Sequence, residues 1–341
     1  MTAQALDLDL DQLVASLRAS RGFAHKTDIA GVLASLGRSL PNGTGDLGQA
    51  VAIGDDCAAI ADADGYLLFA IEGMVSDFVE SMPWFAGYSA VMVNISDVYA
   101  MGGRPLAVVD AIWSEGVANA AEIVAGMAAA SAAYGVPIVG GHSNARSDRA
   151  QLAVAILGRA TRLLSSFAAC SGQRLLMAVD LRGAFAEPYP FWNASTTAPA
   201  GRLRADLELL PALAEEGLCG AAKDISMAGT LGTALMLLEC SGAGANIDLG
   251  AIPLPPGVPL TRWLTAFPSF GYLLAVDEAN VPAVQARFHA RDIACAEIGT
   301  IDDTCRVNIH AGTGATARST LLWDFAADGF IVPREANTTD A

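Results

Sequence analysis

Apolar residues near the start of the chain recur at the spacing of an amphipathic helix. The pattern i, i+3, i+4, i+7 is followed by Leu10, Leu13, Val14 and Leu17. It predicts a helix over residues 9–20. A second helix is predicted from Asp28, whose side chain suits an N-cap, and the Pro- and Gly-containing segment 41–48 is predicted to be a loop. Residues 1–30 are therefore interpreted as an N-terminal helical extension.

Strand-like and helix-like patterns follow without a strict βαβ order. Short apolar runs predict strands at residues 50–53, 57–61, 66–72, 106–113, 136–139 and 152–157. Longer apolar segments predict helices at 88–101 and 118–134, and Gly102, Gly103 and Pro105 end the first of them. Strands and helices mixed in this order favour the α+β class.

The length of 341 residues predicts two domains. The segment 161–172 is interpreted as the crossing between them, and a strand over 175–181 opens the second half. The expected division is 31–163 for an N-terminal domain, 172–325 for a C-terminal domain and 326–341 for a tail that loses order towards its end.

The segment 185–201 is rich in aromatic residues and proline, and its only charged residue is Glu187. Two interpretations remain open for it. One is an ordinary surface loop, and the other is a loop that covers a bound substrate.

Composition and charge narrow the class of function. The chain is 53% hydrophobic and 16% charged, as expected for a protein with a large core, and its net charge is −16. This charge argues against nucleic-acid binding and against binding to anionic membranes. The chain shows neither a bilayer-length apolar run nor a secretory leader, so a cytoplasmic location is expected. The six cysteines are scattered without a C-x-x-C pair, which predicts reduced thiols.

Acidic residues stand where predicted strands end. Asp55 and Asp56 directly follow Gly54, and Glu72 ends an apolar run of its own. Adjacent carboxylates repel each other, and a cation beside them relieves the repulsion. A solvated turn is the alternative for the Asp55–Asp56 pair, because aspartate is common in turns.

Two further stretches strengthen the hypothesis of a metal–nucleotide site. Asn94 and Asp97 are three residues apart and so lie on one face of the predicted helix. Gly140 and Gly141 are interpreted as the end of a strand, followed by His142, and glycines at such a place let backbone N–H groups approach a phosphate. Carboxylates with a glycine-rich loop suit Mg²⁺ and a nucleotide, and an anionic chain needs a metal to screen ATP.

Four blocks of the sequence together resemble a known superfamily. They are IGDDCAAI, NISDVYAMGGRP, GGH and the segment 222–255, which begins AKDISMAG. In this order and spacing they are similar to aminoimidazole ribonucleotide synthetase, thiamine-monophosphate kinase, selenophosphate synthetase and a hydrogenase maturation protein. The resemblance covers residues 26–312. It implies a two-domain α+β fold, with an N-terminal mixed sheet that pairs into a dimer barrel and a C-terminal α/β sandwich. It also implies ATP and Mg²⁺ as cofactors, a small-molecule substrate and a homodimer.

The resemblance to thiamine-monophosphate kinase implies roles for individual residues. The implied metal ligands are Asp55, Asp56, Glu72, Asp97 and Asp224. The implied nucleotide-binding residues are Asn94, Gly140, Gly141 and Ser226, and the implied catalytic residues are Asp97, His142 and Asp224. Asn94 is alternatively a helix residue that bonds its neighbours. Lys223 either pairs with phosphate or forms a surface ion pair.

The chain departs from the pattern of its relatives at three places. His142 and Met227 replace aspartates, and the segment 268–272 lacks the two acids of the kinase motif. Thiamine-monophosphate kinase activity itself is therefore not implied, and the sequence resembles a synthetase-related branch of unknown substrate. Two hypotheses remain. One is an ATP-dependent enzyme that phosphorylates or activates an oxygen of a small molecule, and the retained carboxylates favour it. The other is a nucleotide-binding protein without turnover that acts in regulation or assembly, and the lost carboxylates favour it.

Overall fold

The computed structural model describes residues 8–39, 53–312 and 317–332. The chain divides into two units. The five-stranded unit consists of Val51–Leu164 and Ser195–Gly217, and the seven-stranded unit consists of Met1–Ala50, Ser165–Ala194 and Leu218–Ala341. This differs from the linear division into 31–163 and 172–325, because residues 195–217 return to the five-stranded unit.

Helices and strands alternate irregularly along the chain. The helices are α1 Leu10–Arg18, α2 Arg21–Ser39, α3 Ser76–Ser81, α4 Pro83–Ala100, α5 Val117–Tyr134, α6 Ala200–Leu207, α7 Leu209–Glu215, α8 Gly229–Cys240, α9 Leu260–Trp263 and α10 Val281–His289. The strands are β1 Ala58–Asp62, β2 Gly65–Met74, β3 Arg104–Glu115, β4 Ile138–Asn144, β5 Arg146–Ala160, β6 Arg174–Val179, β7 Ala184–Phe185, β8 Phe191–Asn193, β9 Ala221–Asp224, β10 Gly244–Asp248, β11 Phe267–Pro268, β12 Gly271–Val276, β13 Ala294–Asp302, β14 Arg306–Ala311 and β15 Arg318–Asp324.

The two N-terminal helices are an integral part of the seven-stranded unit. Asp9 caps α1 by accepting a hydrogen bond from the backbone N–H of Gln12 (3.0 Å). Helix α2 begins at Arg21, earlier than the predicted start at Asp28, and it carries Phe23 into the core against Trp323 and Phe330. The tertiary contacts of Phe23 extend the helix beyond the cap predicted from the sequence. Residues 50–52 of a predicted strand and the predicted loop 41–48 lie outside the described residues.

A mixed sheet forms the five-stranded unit, as the α+β prediction requires. Its strand order is β1-β2-β5-β3-β4, in which only β3 and β4 pair in parallel. Helix α4 packs on one side of it, because Val98 lies beside Gly158 of β5, and this side holds the buried residues Val154 and Ile156. In the described part of the chain each sheet ends in edge strands and none closes into a barrel, so the expected dimer barrel is not present within one chain.

The returning segment 195–217 is held to the five-stranded unit by buried and charged contacts. The hydroxyls of Tyr88 and Tyr134 each share a hydrogen bond with the Oγ of Ser195, at 2.6 and 2.7 Å. Arg104, which follows the two glycines after α4, forms ion pairs with Glu208 and Glu215. These partners are separated by 61 or more positions, so no local pattern predicts them.

The seven-stranded sheet has the order β15-β14-β10-β13-β6-β12-β9, and α1, α8 and α10 pack against its strands. Strands β6 and β12 are interior strands of this sheet, and their side chains are almost all buried. A separate three-stranded sheet, β11-β8-β7, belongs to the same unit.

The first residues of the predicted tail 326–341 are anchored in the seven-stranded unit. The carboxylate of Glu239 on α8 accepts hydrogen bonds from the backbone N–H groups of Phe330 (2.7 Å) and Ile331 (2.6 Å). Trp323 donates its indole N–H to the carbonyl of Asp328 (2.9 Å). The tail therefore contributes to the core as far as Ile331, and residues 333–341 lie outside the described residues. None of the described helices combines the length and the apolar character needed to span a bilayer.

Candidate functional site

The acidic pair of the GDD block lies in a turn that enters β1. Gly54 has a φ of 128°, which favours glycine. Asp55 Oδ1 accepts a hydrogen bond from the N–H of Asp56 (3.1 Å), so this carboxylate faces back onto the turn. The carboxylate of Asp56, in contrast, lies within 4.8 Å of the carboxylate of Asp97 on α4. The structure thus brings together two acids that are far apart in the sequence.

Helix α4 holds its polar residues inside the five-stranded unit. Asp97 is 6% exposed and Asn94 is fully buried. Asn94 donates a hydrogen bond from Nδ2 to the carbonyl of Ala90 (2.8 Å), so it does bond its own helix, as one of the two interpretations expected. Its Oδ1 is buried and has no hydrogen-bond partner among the described residues. A buried acceptor of this kind is satisfied when a ligand donates to it.

Oxygen donors are the groups that Mg²⁺ prefers, and two carboxylates that approach each other repel unless a cation lies near them. The Asp56–Asp97 pair fits such an ion, because its ligand atoms are carboxylate oxygens rather than the thiolate or imidazole groups that softer metals select.

A further acid, Asp110, lies on the same side of the sheet as Glu72. Both residues are register partners of Val154 on the central strand β5, so the three side chains form one row. The same row continues to Gly141, where an added Cβ would meet the Asp110 carboxyl at 2.6 Å. Burial raises the pKa of Asp110. Asp110 was not among the predicted site residues, although a lone carboxylate in the apolar run LAVVDAIW was a usable signal.

Gly140, Gly141 and His142 lie within a strand, and the prediction of a glycine-rich loop after a strand is wrong. The whole stretch IVGGHSN is β4, because it pairs in parallel with β3 from Val108 to Trp113. His142 is exposed and is the register partner of Ala111, and its ring centroid lies 6.2 Å from that of Trp113. Successive residues of a strand face opposite sides. His142 therefore lies on the side of the sheet away from α4, so the five-stranded unit does not bring it together with Asp97.

The predicted residues Asp224 and Ser226 lie in the seven-stranded unit. Asp224 ends β9, is 4% exposed and is the register partner of Tyr272. The N–H of Ser226 donates to Thr233 Oγ1 (3.2 Å), and the buried Oγ of Ser226 has no hydrogen-bond partner among the described residues. Lys223 is 4% exposed, which excludes the alternative of a surface ion pair.

Comparison with known proteins identifies the family. The family model for the AIR synthase related protein N-terminal domain matches residues 54–160, and the model for the C-terminal domain matches residues 191–312. The chain belongs to the AIR synthase related family. The superfamily predicted from the four sequence blocks is thereby confirmed.

Relatives of this AIR synthase related protein differ in how much is known of them. An uncharacterized protein of Synechocystis sp. is 47% identical over 316 residues, which cover 92% of this chain and 96% of the relative. A selenide, water dikinase of Bordetella bronchiseptica is 31% identical over 219 residues, 58% of this chain and 61% of the relative. The structure of T. maritima PurL complexed with ATP superposes with a TM-score of 0.72 at 18% identity, over 97% of this chain and 53% of that chain. The last likeness shows the fold alone.

Proposed function

We propose that this AIR synthase related protein is an ATP-dependent phosphotransferase or synthetase that activates an oxygen atom of a small molecule. The observation that carries the proposal is the approach of the Asp56 and Asp97 carboxylates within 4.8 Å, with Asp97 almost fully buried. Folding two acids together in this way is unfavourable by itself, and a bound divalent cation offsets the cost. The kinase name of the Bordetella relative supports the same class of reaction.

The chain's own residues have distinct parts in this proposal. Asp56 and Asp97 hold Mg²⁺, and Asp55, Glu72 and Asp224 are further proposed ligands on the strength of the motifs. The ion supplies charge neutralisation at the phosphates of ATP. Asn94 accepts a hydrogen bond from the ligand at its buried Oδ1, and Ser226 presents its buried hydroxyl to the nucleotide. Gly140 and Gly141 remain proposed nucleotide contacts from the motif, whereas His142, on the side of the sheet away from α4, has no part in the proposed site.

The proposed step is an in-line phosphoryl transfer. The acceptor oxygen forms a bond to the γ-phosphorus of ATP, and the bond between that phosphorus and the β–γ bridging oxygen breaks. ADP leaves with the electron pair of the broken bond. An amide or carbonyl acceptor has no proton on its oxygen, whereas a hydroxyl acceptor transfers its proton to a carboxylate of the site. Phosphoryl transfer needs mainly positioning and charge neutralisation, which buried carboxylates and a metal provide.

Calorimetric titration of the protein with ATP, with and without Mg²⁺, tests the proposal together with an assay of ADP formation. We expect ATP to bind at least about tenfold more tightly with Mg²⁺, because without the metal the carboxylates repel the phosphates. Equal affinity in both conditions would overturn the proposal. If ATP binds in an Mg²⁺-dependent way but no candidate acceptor leads to ADP formation, the second function is favoured, a nucleotide-binding protein without turnover. The presence of Met227 in place of an aspartate supports this second function.

We also propose that the protein is a homodimer formed through the side of the five-stranded sheet that faces away from α4. Phe69 and Ile71 of β2, Val109 of β3 and Leu157 of β5 are all exposed there. Phe69 is the register partner of Leu157, and Ile71 and Val109 are both partners of Ala155, so the four side chains are neighbours. A contiguous apolar surface of this kind typically marks a protein interface. A second copy of the sheet covers it in the proposed dimer.

Replacing Ile71, which is 64% exposed, by arginine is expected to convert the dimer into a monomer. The charge would be desolvated at the centre of the interface without a partner. Sedimentation velocity at micromolar concentration measures the change, and Val124→Arg on the exposed surface of α5 is the control that should remain dimeric. A wild-type protein that sediments as a stable monomer would contradict the proposed dimer.

A further inference from the structure

Lysine occurs at only two positions of the chain, Lys26 and Lys223, and all the other residues among its 20 lysines and arginines are arginines. Both lysines lie in the seven-stranded unit. The two residue types are not interchangeable, because lysine places a compact ammonium group with rotatable donors at the end of a flexible stem. A chain that uses lysine so rarely is expected to place it where the ammonium group itself is needed.

Lys26 lies on the inner face of α2. A helix of about 3.6 residues per turn places Lys26 between Gly22 and Phe23 around the helix axis. Phe23 is buried, and Ile29 of the same face packs against the core. Lys26 itself is half-buried, and in the part of the chain that the structure describes it has no hydrogen-bond or ion-pair partner. The inner face of a helix is usually apolar, so a cation without a carboxylate beside it is unusual there.

Helix α2 packs over the Ser226 turn, residues 225–229, which connects β9 to α8. An added Cβ at Gly22 would lie 2.4 Å from the carbonyl oxygen of Met227, so the two backbones are in contact. Lys26 follows Gly22 on the same helix face, about 6 Å further along the axis. The four-carbon stem of a lysine spans a distance of this size, so the ammonium group can reach the turn.

The Ser226 turn offers hydrogen-bond groups that the protein leaves unused. The hydroxyl oxygen of Ser226 is buried and has no hydrogen-bond partner among the described residues. Helix α8 begins at Gly229, and no side chain caps it at Ala228. The first N–H groups of a helix lack intrahelical partners and carry partial positive charge. A buried hydroxyl beside such a helix end favours an anion with acceptor oxygens.

Carboxylates do not oppose an anion on this side of the sheet. Met227 gives the turn no charge of its own. Lys223 is the register partner of Leu273, which belongs to the same core cluster as Phe23. Successive residues of a strand face opposite sides, so Lys223 faces the side of that cluster and Asp224 faces the other side. Strand β9 therefore directs its cation, and not its carboxylate, towards the layer of α2.

We propose that Lys26 and the Ser226 turn bind a phosphate group, to whose oxygens the ammonium group of Lys26 and the hydroxyl of Ser226 donate hydrogen bonds. The inference rests on the proposed function for the presence of a phosphate at Ser226, and it adds a cation that neutralises this phosphate without a metal. Lys26 thereby compensates for the aspartate that Met227 replaces. The phosphate belongs to ATP or to the acceptor, and the same donors suit both.

Calorimetric titration with inorganic phosphate in the absence of Mg²⁺ tests the inference, because a lysine needs no metal. We expect Lys26→Met to bind phosphate at least about tenfold more weakly than wild type, because a charge-assisted hydrogen bond is lost while the apolar stem is kept. Ser226→Ala is a second variant, and we expect it to weaken binding by about fivefold. Arg21→Met is the matched control, since it removes an exposed positive charge from the same helix, and it should bind phosphate like wild type.

Two results would overturn the phosphate site. One is phosphate binding that is absent from wild type or unchanged in Lys26→Met and Ser226→Ala, both folded by circular dichroism. The other is an equal loss in Arg21→Met and Lys26→Met, because binding would then follow overall charge. Competition identifies the source of the phosphate. If ATP displaces inorganic phosphate, the site holds a phosphate of ATP, and if both bind together, it holds a phosphate of the acceptor.

The same titrations separate this inference from the proposed function. Phosphate binding that depends on Lys26, in a protein whose affinity for ATP does not depend on Mg²⁺, rejects the proposed function and leaves the phosphate site. ATP binding that depends on Mg²⁺, together with unchanged phosphate binding in Lys26→Met, rejects the inference alone. The site lies within one unit, so its test does not involve the Asp56–Asp97 pair.

Discussion

Asp97→Asn is expected to weaken the binding of ATP with Mg²⁺ by at least about 100-fold, because even residues that only orient metal ligands contribute roughly 10- to 100-fold. The substitution keeps the size and shape of the side chain and removes its charge. Asp97 is the more buried member of the Asp56–Asp97 pair, so water cannot easily replace its oxygen as a ligand. The expected loss is therefore larger than for an exposed carboxylate.

Stability without metal should change in the opposite direction from binding. Asparagine at position 97 removes the repulsion with Asp56, so thermal unfolding without Mg²⁺ should occur at the same temperature as for wild type or higher. Addition of Mg²⁺ and ATP should raise the unfolding temperature of wild type and leave that of Asp97→Asn unchanged.

Glu122→Gln is the matched control for Asp97→Asn. Glu122 is an exposed carboxylate on α5 of the same unit, and its replacement also removes one negative charge. The control should bind ATP with Mg²⁺ like wild type, because net charge alone has little effect on a specific metal site. If Asp97→Asn also binds like wild type, Asp97 is not a metal ligand and the role assigned to the acidic pair is wrong.

The helices around the site were predictable because their signals are local. The predicted helix 118–134 is confirmed as α5, which ends where Gly135 adopts a left-handed conformation with φ of 72°. The predicted helix 88–101 is confirmed as part of α4, which begins earlier, at Pro83, because proline is favourable in the first turn. The spacing of apolar residues and the glycines at helix ends are sufficient to predict such helices.

The sequence predicted only the first two residues of β4, as the end of a strand over 136–139, and the continuation of β4 through residues 140–144 was not predictable from those residues. Two glycines followed by His142, Ser143 and Asn144 have the composition of a loop. Their extended conformation is imposed by parallel pairing with β3, and strand formation depends strongly on such neighbours. The same pairing places Asp110 opposite Gly141. Asp110 was missed as a site residue and Gly141 was assigned to a loop for the same reason, which is that the pairing of β3 with β4 was not predicted.

The approach of Asp56 to Asp97 was anticipated from the hypothesis that the acidic blocks share a metal site and from the resemblance of whole motifs. Neither residue's own neighbourhood specifies a distance to the other, since one lies in a turn and the other in a helix. The return of residues 195–217 had no such motif, and its contacts through Ser195 and Arg104 depend on single hydroxyls and charges. Long-range contacts of this kind become visible only in three dimensions.

Gly87→Ala is expected to destabilise the five-stranded unit by about 3 kcal/mol, at the upper end of the usual cost of overpacking. Helices α4 and α5 cross at Gly87 and Gly126, where added Cβ atoms would lie 2.1 Å from the carbonyl oxygen of Ile123 and 1.9 Å from that of Trp84. The obstructing atoms belong to helix backbones, so no side-chain rotation relieves the clash and α5 must move away from α4. Such a shift would also displace Asp97, which lies on the same helix.

Urea denaturation of wild type and Gly87→Ala, followed by the fluorescence of the tryptophans, measures this effect as a lower transition midpoint with an unchanged slope. Gly201→Ala in α6 is the control, because an added Cβ there meets nothing within 4 Å. It should stabilise the same unit by up to about 1 kcal/mol, since alanine is a better helix former than glycine. The two substitutions add the same methyl group to the same unit. If Gly87→Ala lowers the free energy of unfolding and Gly201→Ala raises it, the close helix crossing, rather than the loss of glycine as such, causes the destabilisation. Equal and small effects would mean that α4 and α5 separate easily, in which case the position of Asp97 would not depend on their close packing.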